Sequence, residues 1–118
     1  MTVARGDVVI LDAPFITRPG SKLRPMLVIQ NDQNNARMEN TILATITTNL
    51  LRSDRPTQVL IDPETPEGKS SGLISKSVVS CENILTVRRS HIVRKIGRLS
   101  ASQLALVDQA IKQSLGMA

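Results

Sequence analysis

Leu23-Arg24-Pro25-Met26-Leu27-Val28-Ile29-Gln30-Asn31-Asp32 decides how the rest of the chain is read. The apolar run after Pro25 is short, rich in branched residues and closed by Asn31-Asp32, so it predicts a buried strand over Met26–Gln30 that ends in a turn. Pro25 has no backbone N–H and belongs at the first strand position or on an edge. Its ring pushes Arg24 into extended geometry. An arginine with a restricted backbone at the mouth of a buried strand suits an anionic ligand. It equally suits an ordinary surface, and these residues alone do not separate the two.

Upstream, Val8–Leu11 predicts a first strand after Gly6-Asp7, and residues 13–23, with Pro14, Pro19, Gly20, Arg18 and Lys22, read as a basic loop. Downstream, residues 31–40 are polar and Asn-rich, a loop with room for one helical turn. Thr41–Thr48 is β-branched and partly alternating, a third strand. Thr57–Ile61 is a fourth, residues 62–72 form a long Pro/Gly/Ser turn region, and Leu73–Cys81 is a fifth. Shorter strand-like pieces follow at Ile84–Val87 and Ile92–Ile96. The end of the chain changes period. Ser100 with Gln103 fits a capping box, and Leu104, Val107, Ile111 and Leu115 recur at helical spacing up to Gly116. Many short strands before one terminal helix predict a mainly β, α+β domain, a compact antiparallel sheet or barrel, with residues 1–118 as one unit.

The composition narrows the function. Of 118 residues, 41% are hydrophobic, enough for one core. Phe15 stands alone, without Tyr or Trp, so single-stranded nucleic acid cannot be held here on stacked aromatic platforms. Fifteen Lys+Arg against ten Asp+Glu give a formal charge of +5, which favours a polyanionic partner. A single cysteine suits a reducing compartment. No stretch approaches a spanning helix, and residues 1–20 do not resemble a signal peptide, so a cytoplasmic location and no membrane partner are expected.

Candidate chemistry is sparse. One histidine and one cysteine offer no pair with metal-ligand spacing, so no metal or cofactor is expected. His91 lies in a basic turn and reads as solvated, and Cys81 ends a buried strand as inert packing. Arg88, Arg89, Arg94, Lys95 and Arg98 can bind phosphates or form a solvated rim. Thr47 and Thr48 end the third strand on opposite faces, so only one can share a site with Arg24.

Together these residues resemble the MazF/PemK family of toxin endoribonucleases from type II toxin–antitoxin systems. The resemblance runs from Arg5-Gly6-Asp7-Val8 through Arg24-Pro25 to Asn31-Asp32, Ile46-Thr47-Thr48 and Pro56-Thr57-Gln58-Val59. It continues through Gly72-Leu73, Ser77-Val78-Val79 and Thr86-Val87 to Leu99-Ser100. It implies a curved antiparallel sheet, often described as an SH3-like barrel, with a C-terminal helix, and a homodimer that cuts single-stranded mRNA at short sequences without a metal. Its implied partner is an antitoxin whose acidic, flexible segment covers the RNA groove.

The family's functional arginine maps onto Arg24 and its strand-end threonine onto Thr47, while Glu82 occupies the place of an acidic residue that acts in some members. Arg18, Ser21, Lys22 and Thr48 are the expected RNA contacts. Guanidinium is permanently charged and forks onto two phosphate oxygens, so Arg24 is read as phosphate clamp and electrostatic stabiliser. Thr47 is read as a hydrogen-bond donor to phosphate, and Glu82 as the base. Two features depart from the family: the loop before Arg24 is short, and Asn83-Ile84-Leu85-Thr86 has Leu85 where many relatives carry arginine. Two other readings compete, a non-catalytic toxin of the same fold that binds DNA gyrase or another protein, and an RNA-binding barrel without cleavage.

Overall fold

A computed structural model describes residues 2–15 and 17–117. Strands β1 (Asp7–Pro14), β2 (Ser21–Val28), β3 (Asn40–Thr47), β4 (Gln58–Ile61), β5 (Ser77–Arg88) and β6 (Ile92–Arg98) form one sheet in the order β4-β5-β3-β2-β1-β6. Every ladder is antiparallel. Helix α1 (Asp32–Arg37) joins β2 to β3, and α2 (Ala101–Leu115) follows β6.

Strand alternation divides the apolar residues between the two faces of this sheet. Val8, Leu27, Ala44, Ile46, Val59, Ile61 and Val79 point to one side, where Val107 and Ala110 of α2 complete the core. Val9, Leu11, Met26, Val28 and Leu43 form a second cluster on the other side with Ile92. Each fully buried Val, Leu, Ile or Met among them contributes about 1.5–3 kcal/mol through removal from water. The helix therefore covers one face, and the far part of the other stays open.

The two edge strands share no ladder. Instead, the β4–β5 connection crosses to β6 through a short 3-10 turn at Lys69–Ser71, where the Ser70 hydroxyl donates to the Arg98 carbonyl at 2.7 Å. Glycine permits this approach. A Cβ on Gly72, at φ +75°, would lie 2.0 Å from the Ile96 carbonyl oxygen, and one on Gly97 would lie 2.3 Å from Ser71. The sheet is thus not closed into a barrel, and the β4–β5 connection bridges its two edges.

Several boundaries differ from the sequence expectations. β2 spans Ser21–Val28 rather than Met26–Gln30, and β1 reaches Pro14, so most of the expected basic loop is a hairpin paired from Val8–Leu27 to Pro14–Ser21. Ser21 to Arg24 are exposed, so a hydrophobic pattern cannot register them, although their backbone is fully strand. Leu73–Cys81 and Ile84–Val87 are not two strands. They fall largely within β5, which starts at Ser77 and carries a bulge: Thr45 faces Ser80 while Ala44 faces Ile84, leaving Cys81, Glu82 and Asn83 without partners on β3. In α2, Ser100 caps the N-terminus and Gly116 the C-terminus as expected, but Leu115 is exposed.

The Arg5-Gly6-Asp7 motif is structural. The Arg5 guanidinium donates to the Ile29 carbonyl at 2.8 Å and pairs with Asp108 of α2 at 2.7 Å, tying the segment before β1, the segment after β2 and the helix together. Asp7 is buried and takes Lys95 and Arg98, each at 3.2 Å. Two cations of the basic segment 88–98 are therefore engaged within the fold.

Candidate active site

Pro25 sits fifth in β2, an interior strand, and so departs from the expectation of a first or edge position. The reason is local: β2 pairs with β3 only over Met26–Val28, so at Pro25 the β3 side of the strand is already free. Met26 faces Thr45. The same register continued by two residues sets Arg24 opposite Thr47, across a gap where no ladder forms.

That gap opens into a recess of about 260 Å³ on the sheet face away from α2. Alternation places Thr45 and Thr47 of β3 on its floor. Ser80 is the β5 partner of Thr45, and Gln58 is the β4 partner of Ser80, so both continue the floor. Arg24 forms one wall, with Arg52 from the β3–β4 connection and Asn83 from the bulge at the rim.

The hydrogen bonding leaves donors pointed inward. Thr47 Oγ1 accepts the Asn49 N–H at 3.1 Å, which leaves its own proton to donate. Ser80 Oγ accepts from Asn83 Nδ2 at 3.0 Å, which leaves its proton in the same condition. Arg24 is exposed and has no carboxylate partner among the described residues. Gln58 Oε1 is a buried acceptor without a donor. The lining holds no carboxylate, thiol or imidazole. Permanent cations beside free hydroxyl donors are complementary to an anion rich in acceptor oxygens.

The structure thus brings Arg24 and Thr47 into one recess. Thr48 lies past the end of β3, exposed, and does not line it. Lys22 lies two residues before Arg24 on the same face of β2, also exposed. Arg18 stacks over Phe15, with its Cζ 4.2 Å from the ring centroid, at the hairpin tip, and Ser21 opens β2 beside it. Glu82 is outside the lining. It accepts from the Thr57 hydroxyl at 2.7 Å and pairs with Arg55 at 3.3 Å. These contacts, the Thr57 hydrogen bond foremost, hold its carboxyl below the usual range.

Cys81 points into the core beneath α2, and burial pushes its thiol up to about 11. His91 is exposed and, like Leu85, lines a separate groove of about 660 Å³ along β1 and β5. Arg52, Ser80, Gln58 and Asn83 were not read from the sequence as site residues. Thr45 and Ser80 were reachable by stepping two residues along and one strand across from Thr47; Arg52 carried no such signal.

The family described as "PemK-like, MazF-like toxin of type II toxin-antitoxin system" matches residues 4–115. The chain is 35% identical over 118 residues to the protein named Endoribonuclease EndoA of Bacillus subtilis, covering 99% of this chain and 97% of that one. It is 34% identical over 116 residues to Endoribonuclease MazF of Staphylococcus epidermidis, covering 98% and 92%. A solved structure titled as an endoribonuclease in complex with its cognate antitoxin, from mycobacterial species, superposes with a TM-score of 0.78 at 21% identity, over 98% of this chain and 97% of that one, and shows the same fold.

Proposed function

The chain belongs to the PemK-like, MazF-like family of toxins of type II toxin–antitoxin systems, and on that footing we propose that it is a metal-independent endoribonuclease that cuts single-stranded RNA at short sequences and so stops translation and growth. The observation that carries this reading is that Arg24 and Thr47 line one donor-rich, carboxylate-free recess.

RNA supplies its own nucleophile. The 2′-oxygen attacks the adjacent phosphorus, forming one P–O bond while the bond to the 5′-oxygen breaks. The 2′-oxygen loses its proton to water and the 5′-oxygen takes one from water, so the products are a 2′,3′-cyclic phosphate and a 5′-hydroxyl. Charge grows on the non-bridging oxygens as the fifth bond forms. Arg24 forks onto these oxygens and neutralises that charge. Thr47 donates the proton that Asn49 leaves free to a non-bridging oxygen, which fixes the phosphate for in-line attack. The base role expected of Glu82 does not go forward, because Thr57 and Arg55 already hold its carboxylate. Its role is to position those two residues at the bulge.

Beyond the recess, Arg18, Ser21 and Lys22 carry the RNA along the β1–β2 hairpin, and Thr48 meets it at the β3 end. An antitoxin with an acidic, flexible segment covers the same face, a reading supported by the +5 charge and by a structural neighbour bound to its antitoxin. On this reading residues 1–118 act as one domain in the cytoplasm and pair as a homodimer, for which light scattering should return twice the 12.9 kDa chain mass. Among the described residues no helix is long and apolar enough to cross a membrane. Nothing in the recess favours the gyrase-binding alternative.

The test is chemical. RNA cut at a mapped site is resynthesised with a 2′-deoxy residue at the attacking position. The reading requires that cleavage there stop and that the parent RNA yield cyclic-phosphate ends. Cleavage of the deoxy substrate would overturn it.

A further inference from the structure

The mechanism uses one guanidinium, and the recess holds two. Arg52 lines the same 260 Å³ space as Arg24 and is exposed. A string of turns fixes it there. Asn49 N–H donates to Thr47 Oγ1, Leu51 N–H to Asn49 Oδ1 at 3.1 Å, Ser53 N–H to the Leu50 carbonyl at 3.0 Å, and Arg55 N–H to the Arg52 carbonyl at 3.1 Å. Gln58 N–H closes the series on the Arg55 carbonyl at 3.0 Å. The connection is therefore anchored at the proposed catalytic threonine and delivers Arg52 over the floor that Thr47 begins.

The two arginines of this connection differ in their charge environment. Arg55 is engaged by Glu82 at 3.3 Å, whereas Arg52, like Arg24, has no carboxylate partner among the described residues. Elsewhere the fold gives Arg5 and Arg98 acidic partners. A phosphodiester carries one negative charge and is satisfied by one guanidinium fork. A second unpaired guanidinium in the same recess calls for a second anion.

Resting on the reading that Arg24 holds the scissile phosphate, we propose that Arg52 binds the phosphodiester next to it, so that the substrate must present two consecutive phosphates to this recess. Arg52 touches no reacting atom and is a substrate-binding residue. It holds the chain in register over the Arg24–Thr47 pair, and its loss weakens binding while leaving the chemical step intact.

The experiment has a binding arm and a cleavage arm. In the first, an uncleavable 2′-O-methyl RNA is titrated with the parent, Arg52→Ala, Arg52→Lys and Arg55→Ala while salt is varied. The slope of log K against log salt falls by about 0.7 for Arg52→Ala, the value for one phosphate on a single strand. It is unchanged for Arg52→Lys, which keeps the charge, and for Arg55→Ala, whose guanidinium is already occupied. In the second, a cleavable RNA carries one neutral methylphosphonate either side of the cut. The parent loses about 10-fold in KM at one of the two positions with kcat held within about 2-fold, and Arg52→Ala shows that loss already and no more on the modified RNA. An unchanged slope, or losses that multiply independently, overturns the proposal. If the parent cuts no RNA, the endoribonuclease reading fails by itself, and the slope comparison still decides for or against Arg52.

Discussion

Arg24 and Thr47 line one recess, and the β2–β3 register, continued two residues beyond its last ladder partners Met26 and Thr45, sets them opposite each other. The recess exists because the ladder stops there. Pro25 removes a donor at the point where β3 would otherwise be paired, and the strands part with a cation on one and a hydroxyl on the other. Backbone that would have been consumed in sheet instead frames the recess.

In the proposed mechanism both residues act on the same phosphate, so their losses should not add. Thr47→Val removes one preorganised donor and lowers kcat about 10²–10³-fold. Arg24→Ala lowers it about 10³-fold or more, and Arg24→Lys restores only part because an ammonium lacks the fork. Single-turnover cleavage by the double variant should lie close to that of Arg24→Ala alone.

Glu82 is expected to matter to structure more than to rate. Its folded carboxyl is held below the ordinary value of 4.5, chiefly by the Thr57 hydroxyl, with Arg55 adding to the effect and burial opposing it. A depressed carboxyl stabilises the fold fully above its unfolded value and loses that contribution as pH falls through the folded one. The stability deficit of Glu82→Gln, measured by urea titration, is therefore complete at pH 7 and shrinks below about pH 4.5. Cleavage by the same variant stays within about 10-fold of the parent.

Cys81 lies under α2 with its thiol raised to about 11, so thiolate is scarce in the folded protein at pH 8. A thiol-specific dye at pH 8 should leave the native protein unmodified and react once urea unfolds it. Alkylation after unfolding, and not before, confirms that the residue is packing.

The loop closure of the sheet can be tested at Gly72. Gly72→Ala adds a Cβ 2.0 Å from a β6 carbonyl at positive φ and should cost about 2–4 kcal/mol. Gly116→Ala shares the positive φ but meets nothing within 4 Å, so its cost should be only about 1–2 kcal/mol. Urea midpoints at unchanged slope separate the two.

The apolar half of β2, the alternating β3 and the capped α2 were legible in the sequence because each carries an unbroken period of 2 or 3.6. The exposed half of β2 was not, since Ser21 to Arg24 form ladder with no apolar residue facing a core. The bulge at Cys81–Asn83 broke the period of β5 and split one strand into two. Of the site, Arg24 and Thr47 were singled out by the family resemblance, because a cation before a proline and a threonine in a strand suit an ordinary surface equally well. Arg52 was not, because its position depends on five hydrogen bonds in a turn region whose composition resembles any polar loop.

The central claim is that Arg24 and Thr47 cut RNA without help from a metal. Purified protein is incubated with a varied single-stranded RNA pool in EDTA, beside Arg24→Ala of matched folding by circular dichroism. The account predicts sequence-selective cuts by the parent that survive EDTA and vanish in the variant. Cleavage of equal rate and pattern by Arg24→Ala, or none by the parent on any RNA of the pool, would contradict it.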